Sequence, residues 1–381
     1  MGTASGSSLF EPITLRSLTF PNRVWMSPMC QYSAEATGPG TGVAADWHFA
    51  HLAARAVGGA GLTMVEMTAV SPEGRITPWD LGLWNGQQQD GLARIAEFQH
   101  RSGAVPGIQL AHAGRKSSQE PPWKGRRPIA PAEGGWETLG PSPQPHGAVP
   151  VPKELSREEI ARIVGDFARA AQRALAAGFK VIELQGGHGY LIHQFLSPYS
   201  NRRTDLYGGS FENRARFALD VVDAVRAVWP EELPLFFRTS AIDALGGTPG
   251  DDREGWTLEE TVRLAKELHT RGVDLLDVST GGIAPHAQLP FAPGYHAPFA
   301  AEVRSRSGVP VSTVGVITEP AQAEEIVAMG QADAVFLGRE LLRSPYWPRQ
   351  AAQRLGADLT WPQQYAWGFG IASPSDTTAA G

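Results

Sequence analysis

Cysteine is nearly missing from this chain. Cys30 is the single one in 381 residues, so an intrachain disulfide is excluded and a reducing, cytoplasmic setting is expected. Positive charge is also scarce relative to negative. The 33 lysines and arginines stand against 39 aspartates and glutamates, for a net charge of −6, and no basic block occurs. Nucleic acid and anionic membrane surfaces are therefore poor partners. No apolar run approaches the roughly 20 residues that span a bilayer. The opening MGTASGSS lacks the charged-then-apolar order of a signal peptide and reads as a disordered tail over residues 1–8. No Gly-x-Gly-x-x-Gly follows a strand, so the Rossmann fingerprint is missing. No carboxylate cluster accompanies His48 and His51, which share a helix face and read as packing residues, so no metal site is expected. No lysine stands at a strand end; Lys116 lies past one in a loop, which argues against Schiff-base chemistry.

What is present is an ordinary globular balance, 42% apolar and 19% charged, arranged as a repeat. Residues 9–20 alternate in short pieces and suggest a hairpin. Strand candidates then fall at 23–27, 62–68, 105–111, 181–184, 233–240, 273–280, 309–314 and 332–337. Helical patterns separate them. Over 46–57, His51, Ala54 and Val57 share one side. Others cover 91–100, 213–228, 299–306 and 320–329, with a last helical segment to about 355. Ser156 with Glu159, and Thr257 with Glu260, form capping boxes for two more. Ile160, Val164, Phe167, Ala171 and Leu175 form the stripe of the first. The strands are apolar on both faces, as parallel strands beneath helices are. Eight such units predict an α/β fold, a (β/α)8 TIM barrel with an N-terminal hairpin; a doubly wound sheet is the alternative. Residues 120–152, rich in Pro and Gly, form a long loop after the third strand, as lids and binding loops do. No composition shift marks a second domain, so 9–381 is read as one.

In such a barrel, chemistry gathers at the C-terminal strand ends. These carry Ser27 to Cys30, Ala69, Gln109 with His112, Gln185 with His188 and Tyr190, Arg238, Gly281-Gly282, Gly315, and Gly338-Arg339. The densest stretch is VIELQGGHGYLIHQFLSPYSNRRTDLYGGS, residues 181–210. It reads either as a glycine-rich turn with core histidines or as a strand end presenting titratable groups. Each late glycine singly reads as a tight turn. Together with Arg238 and Arg339 they favour a phosphorylated ligand, since bare backbone N–H groups approach an anion closely.

LFEPITLRSLTFPNRV, SPMCQYS, GIQLAHAGRKSS, HGYLIHQFLSPYSNRRTDLYGGSFENRARF and DAVFLGRELLRSPYWP resemble the Old Yellow Enzyme family of FMN-dependent ene-reductases, and within it the thermophilic-like branch of the xenobiotic reductases. The resemblance covers nearly the whole chain after the tail. It implies FMN across the barrel mouth and NADPH or NADH as co-substrate. Ser27, Pro28, Met29 and Cys30 would line one side of the flavin, Ala69 and Gln109 its pyrimidine edge, and Arg238 the region of N1. Gly282, Gly315, Gly338 and Arg339 would bind the phosphate. Cys30 resembles the cysteine that tunes the flavin; otherwise it reads as a buried small apolar residue. Tyr32 resembles a substrate-contacting phenol. In the family's ping-pong mechanism a hydride passes from NAD(P)H to flavin N5, then to the β-carbon of an activated alkene. His188 would bind the carbonyl or nitro oxygen, and Tyr190 would protonate the α-carbon.

Two departures stand out. The family has His-x-x-His or His-x-x-Asn where this chain has Gln185-Gly186-Gly187-His188. Losing one oxyanion donor outright costs about 3–4 kcal/mol of transition-state stabilisation; an amide N–H2 in its place should lose less. The second departure is near the C-terminus, where Gln364-Tyr365-Ala366-Trp367 replaces a run with an arginine that reaches the neighbouring protomer. The resemblance implies a homodimer or homotetramer, with Trp367 as the group reaching across. Three functions follow: alkene reduction, redox-neutral alkene isomerisation owing to Gln185, or a flavin-binding barrel without turnover.

Overall fold

The computed structural model describes residues 6–246, 252–285, 287, 289 and 291–369. An antiparallel hairpin comes first, β1 (Ile13–Leu15) with β2 (Leu18–Phe20). Then follow β3 (Val24–Met26), α1 (Asp46–Val57), β4 (Leu62–Ala69), α2 (Gly86–Arg101) and β5 (Val105–Ala111). The long segment after β5 holds two two-residue strands, β6 (Leu139–Gly140) and β7 (Lys153–Glu154). The chain continues through α3 (Arg157–Ala176), β8 (Val181–Gly186), α4 (Leu191–Leu196), α5 (Phe211–Arg226), β9 (Leu235–Ser240) and α6 (Leu258–Thr270). It ends with β10 (Leu275–Ser279), α7 (Ala297–Ser307), β11 (Val311–Thr313), α8 (Pro320–Ala328), β12 (Ala334–Leu337), α9 (Arg339–Arg343) and α10 (Trp347–Leu355). Strands β3, β4, β5, β8, β9, β10, β11 and β12 close into one parallel barrel in chain order, as the eightfold repeat predicts.

Both capping boxes form: Glu159 N–H donates to Ser156 Oγ at 3.2 Å, and Glu260 N–H to Thr257 Oγ1 at 3.3 Å. A third, Asn85 with Gln88, starts α2 earlier than its apolar spacing suggests. The buried face of α3 is Ile160, Ile163, Phe167, Ala170, Ala171 and Ala174, so the expected Val164 and Leu175 lie at its half-buried margin. The face of α1 also differs from the expected stripe. His48, His51, Leu52, Arg55 and Ala56 are buried, and Ala54 and Val57 are half-buried. Arg55 turns inward because its guanidinium satisfies carbonyls, donating to Leu341 O at 2.9 Å and His51 O at 2.8 Å. Ser8, expected within the tail, is held in place. The Glu324 carboxylate accepts from Ser8 N–H at 2.8 Å and Leu9 N–H at 3.0 Å, and Ser8–Phe10 forms a 3-10 turn.

The barrel interior is filled from below. Trp25, Leu62, Met64, Val105, Val181, Phe236, Leu275 and Phe336 pack together, and Leu15 and Phe20 of the hairpin close that end. The Trp25 ring lies 4.9 Å from Phe20 and 5.7 Å from Phe236, measured between centroids. Aromatic contacts at these spacings contribute beyond their buried area. A second core lies between barrel and helices. The plugged lower end leaves the strands' C-terminal ends as the open face. The loop after β5 is pinned to that rim, with Ile129 N–H donating to Ser118 O at 2.8 Å and Trp136 Nε1–H to Glu73 O at 2.9 Å. Among the described residues no helix is long and apolar enough to cross a membrane.

Candidate active site at the barrel mouth

The loop leaving β8 is glycine-rich because two neighbouring loops press on it. A Cβ on Gly187 would stand 2.9 Å from Ser240 N, and one on Gly189 would stand 2.1 Å from Gly282 O. Gly189 also holds φ +73°, where L side chains are strained. His188 lies between them at φ +56°, its N–H donating to Ser240 Oγ at 2.9 Å. Tyr190 is the N-cap residue of α4. His193, one turn on, is structural: its Nδ1 accepts from Gly189 N–H at 2.8 Å and its Nε2 pairs with buried Asp243 at 2.8 Å.

Four polar side chains, Gln185, His188, Gln109 and Ser279, converge at the C-terminal end of β8. Gln185 Oε1 accepts from Gly187 N–H at 3.0 Å, which orients the amide. Its Nε2 then lies 3.2 Å from His188 Nδ1 and 3.5 Å from Gln109 Oε1. His188 Nε2 meets Ser279 Oγ at 2.7 Å. Burial first, then the charges of Arg238 and Lys116, pull the His188 pKa well below its ordinary value, so the ring is neutral.

One layer below sits a buried charged set. Gln109 Nε2–H donates to Glu183 Oε1 at 2.7 Å. Arg238 donates from Nη1 to Ser27 Oγ at 3.1 Å and pairs through Nε with Asp277 at 3.1 Å. Burial, then the Asp277 charge, raises the Glu183 pKa to about 8, against the opposing effects of Arg238 and Gln109. Burial also raises Asp277, opposed by Arg238.

On the opposite wall Cys30, Tyr32 and Tyr190 pack with Met67, Ile76, Ala111 and Ala113. Burial, then Cys30, holds the Tyr190 phenol above its ordinary pKa, so it keeps its proton. The Cys30 thiol is likewise held protonated by burial, then by Glu66 and Asp80. Two groups here carry no strand-end signal in the sequence. Lys116 Nζ donates to His188 O at 2.8 Å and Gly282 O at 3.1 Å, and lies 5.1 Å from the centre of the Tyr190 ring. Burial, then Arg126 and Arg115, lowers its pKa to about 7. Trp123, from the long loop, meets the Tyr32 ring edge-on at 5.6 Å.

At the other end, Gly315, Val316, Gly338, Arg339 and Arg343 line a cavity of about 160 Å3. Gly338 is open; a Cβ there would meet only Met29 Sδ, at 3.7 Å. Gly282, expected with these glycines, is placed elsewhere. It packs against the β8 loop, where a Cβ would stand 2.6 Å from the His188 backbone. Ala69 also differs from expectation. Its N–H donates to Leu81 O and its C=O accepts from Leu83 N–H, both at 2.9 Å, so its N–H is not free to donate to a ligand. A bulge between Val65 and Met67 shifts the phase of β4 and turns Met67 toward Cys30 instead. Trp367 is 81% exposed. It follows Tyr365, which lines a surface cavity with Val57, Phe98 and Arg101, at the C-terminal ends of α1 and α2. Those helix ends lie at the barrel end opposite the mouth.

This is a barrel-mouth redox site of the flavin oxidoreductase class. The model of the NADH:flavin oxidoreductase / NADH oxidase family matches residues 8–358. The chain belongs to that family, and the Old Yellow Enzyme resemblance is correct. It is 46% identical over 362 residues to an NADPH dehydrogenase of Geobacillus thermodenitrificans, covering 95% of this chain and 98% of the relative. It is 44% identical to an NADH:flavin oxidoreductase of Gibberella zeae, covering 96% and 90%. Among solved structures, morphinone reductase superposes with a TM-score of 0.75 at 30% identity, covering 95% of this chain and 93% of that one. Its complex with tetrahydroNAD superposes with a TM-score of 0.72 at 30% identity, covering 93% and 92%. The protein is an FMN- and NAD(P)H-dependent oxidoreductase. The groove suits FMN: the glycine-and-arginine cavity offers an anion cradle at one end, Arg238 a buried cation at the centre, and Gln109 an amide beyond it.

Proposed function

We propose that this enzyme reduces C=C bonds activated by a carbonyl or nitro group. The observation that carries the reading is the pair Gln185 Nε2 and His188 Nδ1, 3.2 Å apart, at the end of β8 and on the loop that leads to Tyr190. With its proton on Nδ1, His188 can donate together with the Gln185 amide to a single oxygen acceptor seated beside the pair. FMN, when bound, supplies hydride exchange between NAD(P)H and the alkene. The rest falls to the chain. Gln185 and His188 hold the substrate oxygen, and Tyr190 Oη delivers a proton to the α-carbon. Burial keeps that proton in place until an enolate develops. Tyr32 and Trp123 form an aromatic wall for the alkene's substituents. Ser27, Pro28, Met29, Cys30, Met67, Gln109 and Arg238 hold the flavin ring, and Gly315, Gly338 and Arg339 its phosphate. Trp367 serves the mouth of a second copy in a homo-oligomer.

The test is an anaerobic assay with an enone and NADPH, followed by product mass. A product heavier by two hydrogens supports the reading. An unchanged mass with a moved double bond replaces it with isomerisation. Flavin that never bleaches with NADPH, or bleaches and is not reoxidised by the enone, means no alkene turnover.

A further inference from the structure

In the structure Gln185 and His188 satisfy each other. Gly187 N–H fixes the Gln185 amide with Oε1 toward the loop, so its Nε2–H must face His188 Nδ1. His188 Nδ1 then accepts, and the neutral ring carries its proton on Nε2. That proton points at Ser279 Oγ, 2.7 Å away. An imidazole in this tautomer offers no donor to a substrate oxygen lying between Nδ1 and the amide.

We propose that Ser279 is a positioning residue that lets His188 change tautomer when a substrate oxygen binds. A hydroxyl both accepts and donates. In the arrangement the structure shows, Ser279 Oγ accepts from Nε2–H. In the loaded site it donates O–H to Nε2, and the ring proton stands on Nδ1 beside the Gln185 N–H2. Both donors then face one acceptor. The proton count does not change: one ring proton moves from Nε2 to Nδ1 by exchange and the Ser279 hydroxyl rotates.

The surroundings suit this role. Ser279 ends β10 and is 2% exposed, so solvent does not compete for its hydroxyl. Its carbonyl is committed to Ala241 N–H at 2.8 Å, which fixes the residue while leaving Oγ free to turn. The His188 backbone is clamped by Ser240 Oγ and by Lys116 Nζ, so the ring stays in place as the hydroxyl rotates. Where the family has a second imidazole, this chain has an amide that always donates from Nε2, so only His188 adjusts.

The inference rests on the reading of Gln185 and His188 as the oxygen site, and the experiment separates the two. Holoenzyme labelled with 15N-histidine is examined by NMR, with the His188 signals assigned from His188→Asn, before and after adding 4-nitrophenolate. Affinities are measured by calorimetry. The expected result is an Nε2–H ring in free enzyme and an Nδ1–H ring with ligand bound. Ser279→Ala should weaken binding roughly five- to tenfold through loss of one buried hydrogen bond, and Ser279→Thr should restore it. Flavin content confirms that each variant folds. A ring that keeps one tautomer throughout, or Ser279→Ala binding as tightly as wild type while His188→Ala binds weakly, overturns the role of Ser279 alone. If His188→Ala also binds as wild type, the oxygen-site reading itself fails.

Discussion

At the scale of single residues, Glu183 is the group whose environment asks most of its charge. It is fully buried, it has Asp277 nearby, and Oε2 finds no hydrogen-bond partner among the described residues. Its folded pKa, raised to about 8, lies above the ~4.3 of an unfolded glutamate. The native state therefore binds the proton more tightly. The stability this gives is full below the unfolded pKa and is lost as pH rises toward the folded one. Glu183→Gln removes the titration and keeps an oxygen for Gln109. Relative to wild type, the variant should gain stability between pH 5 and 7.5 by at most about 1.4 kcal/mol per pH unit. Urea unfolding across that range checks this; parallel curves for the two proteins would contradict it. Tyr190 carries the complementary chemical prediction. Tyr190→Phe should slow enone reduction by roughly 10^2–10^4 and leave flavin reduction by NADPH nearly intact. Stopped-flow measurement of the two half-reactions separates them, and equal losses in both would remove the proton-donor role.

At the scale of elements, the strand–helix alternation was legible because it is written in local signals: apolar runs, glycines after them, and capping residues at fixed spacing. The Ser156 and Thr257 boxes are of this kind. What was illegible is phase. All eight residues of β4 are buried, so the run carries no alternation to say which side chains face the barrel axis. A bulge then shifts that phase between Val65 and Met67. Hence Ala69 suggested itself by its place at the strand end, while the structure packs Met67 against Cys30. Gly282 packs apart from the other late glycines for a related reason. A glycine's purpose depends on which loop lies against it, and that is a long-range fact. The close approach of the β8 and β10 loops makes a prediction of its own. Gly189→Ala would set a methyl 2.1 Å from Gly282 O at φ +73°, so one loop must move. A loss of about 1–3 kcal/mol, seen as a lower Tm, should come with reduced FMN retention, because the displaced loop carries His188 and Tyr190. Full flavin content at an unchanged Tm would show that the loops are not in contact.

At the scale of the whole molecule, the C-terminal segment sets a geometric condition. Each helix that precedes a strand runs opposite to it, so the ends of α1 and α2 near Val57 and Arg101 lie below the barrel. Tyr365 is anchored there, with its hydroxyl 3.3 Å from that of Tyr346. Trp367, two residues on and 81% exposed, therefore lies remote from its own mouth. Meanwhile the mouth exposes aromatic surface of its own: Trp123 is 66% exposed beside Tyr32, and Phe291 is 67% exposed beneath Arg339. A large exposed indole and a rim of exposed aromatic rings, on opposite faces of one chain, suit contact between copies. Trp367→Ala should then shift the protein toward smaller species in sedimentation at micromolar concentration. It should also raise the KM for an enone several-fold, by roughly the worth of one aromatic contact, about 0.5–1.5 kcal/mol, with little change in kcat at saturation. The coupling of the two effects is the discriminating feature. Raising the protein concentration should restore the sedimentation profile but not the KM, because the reassociated variant still lacks the indole that completes the neighbour's pocket. An unchanged sedimentation profile together with an unchanged KM would leave Trp367 outside the site.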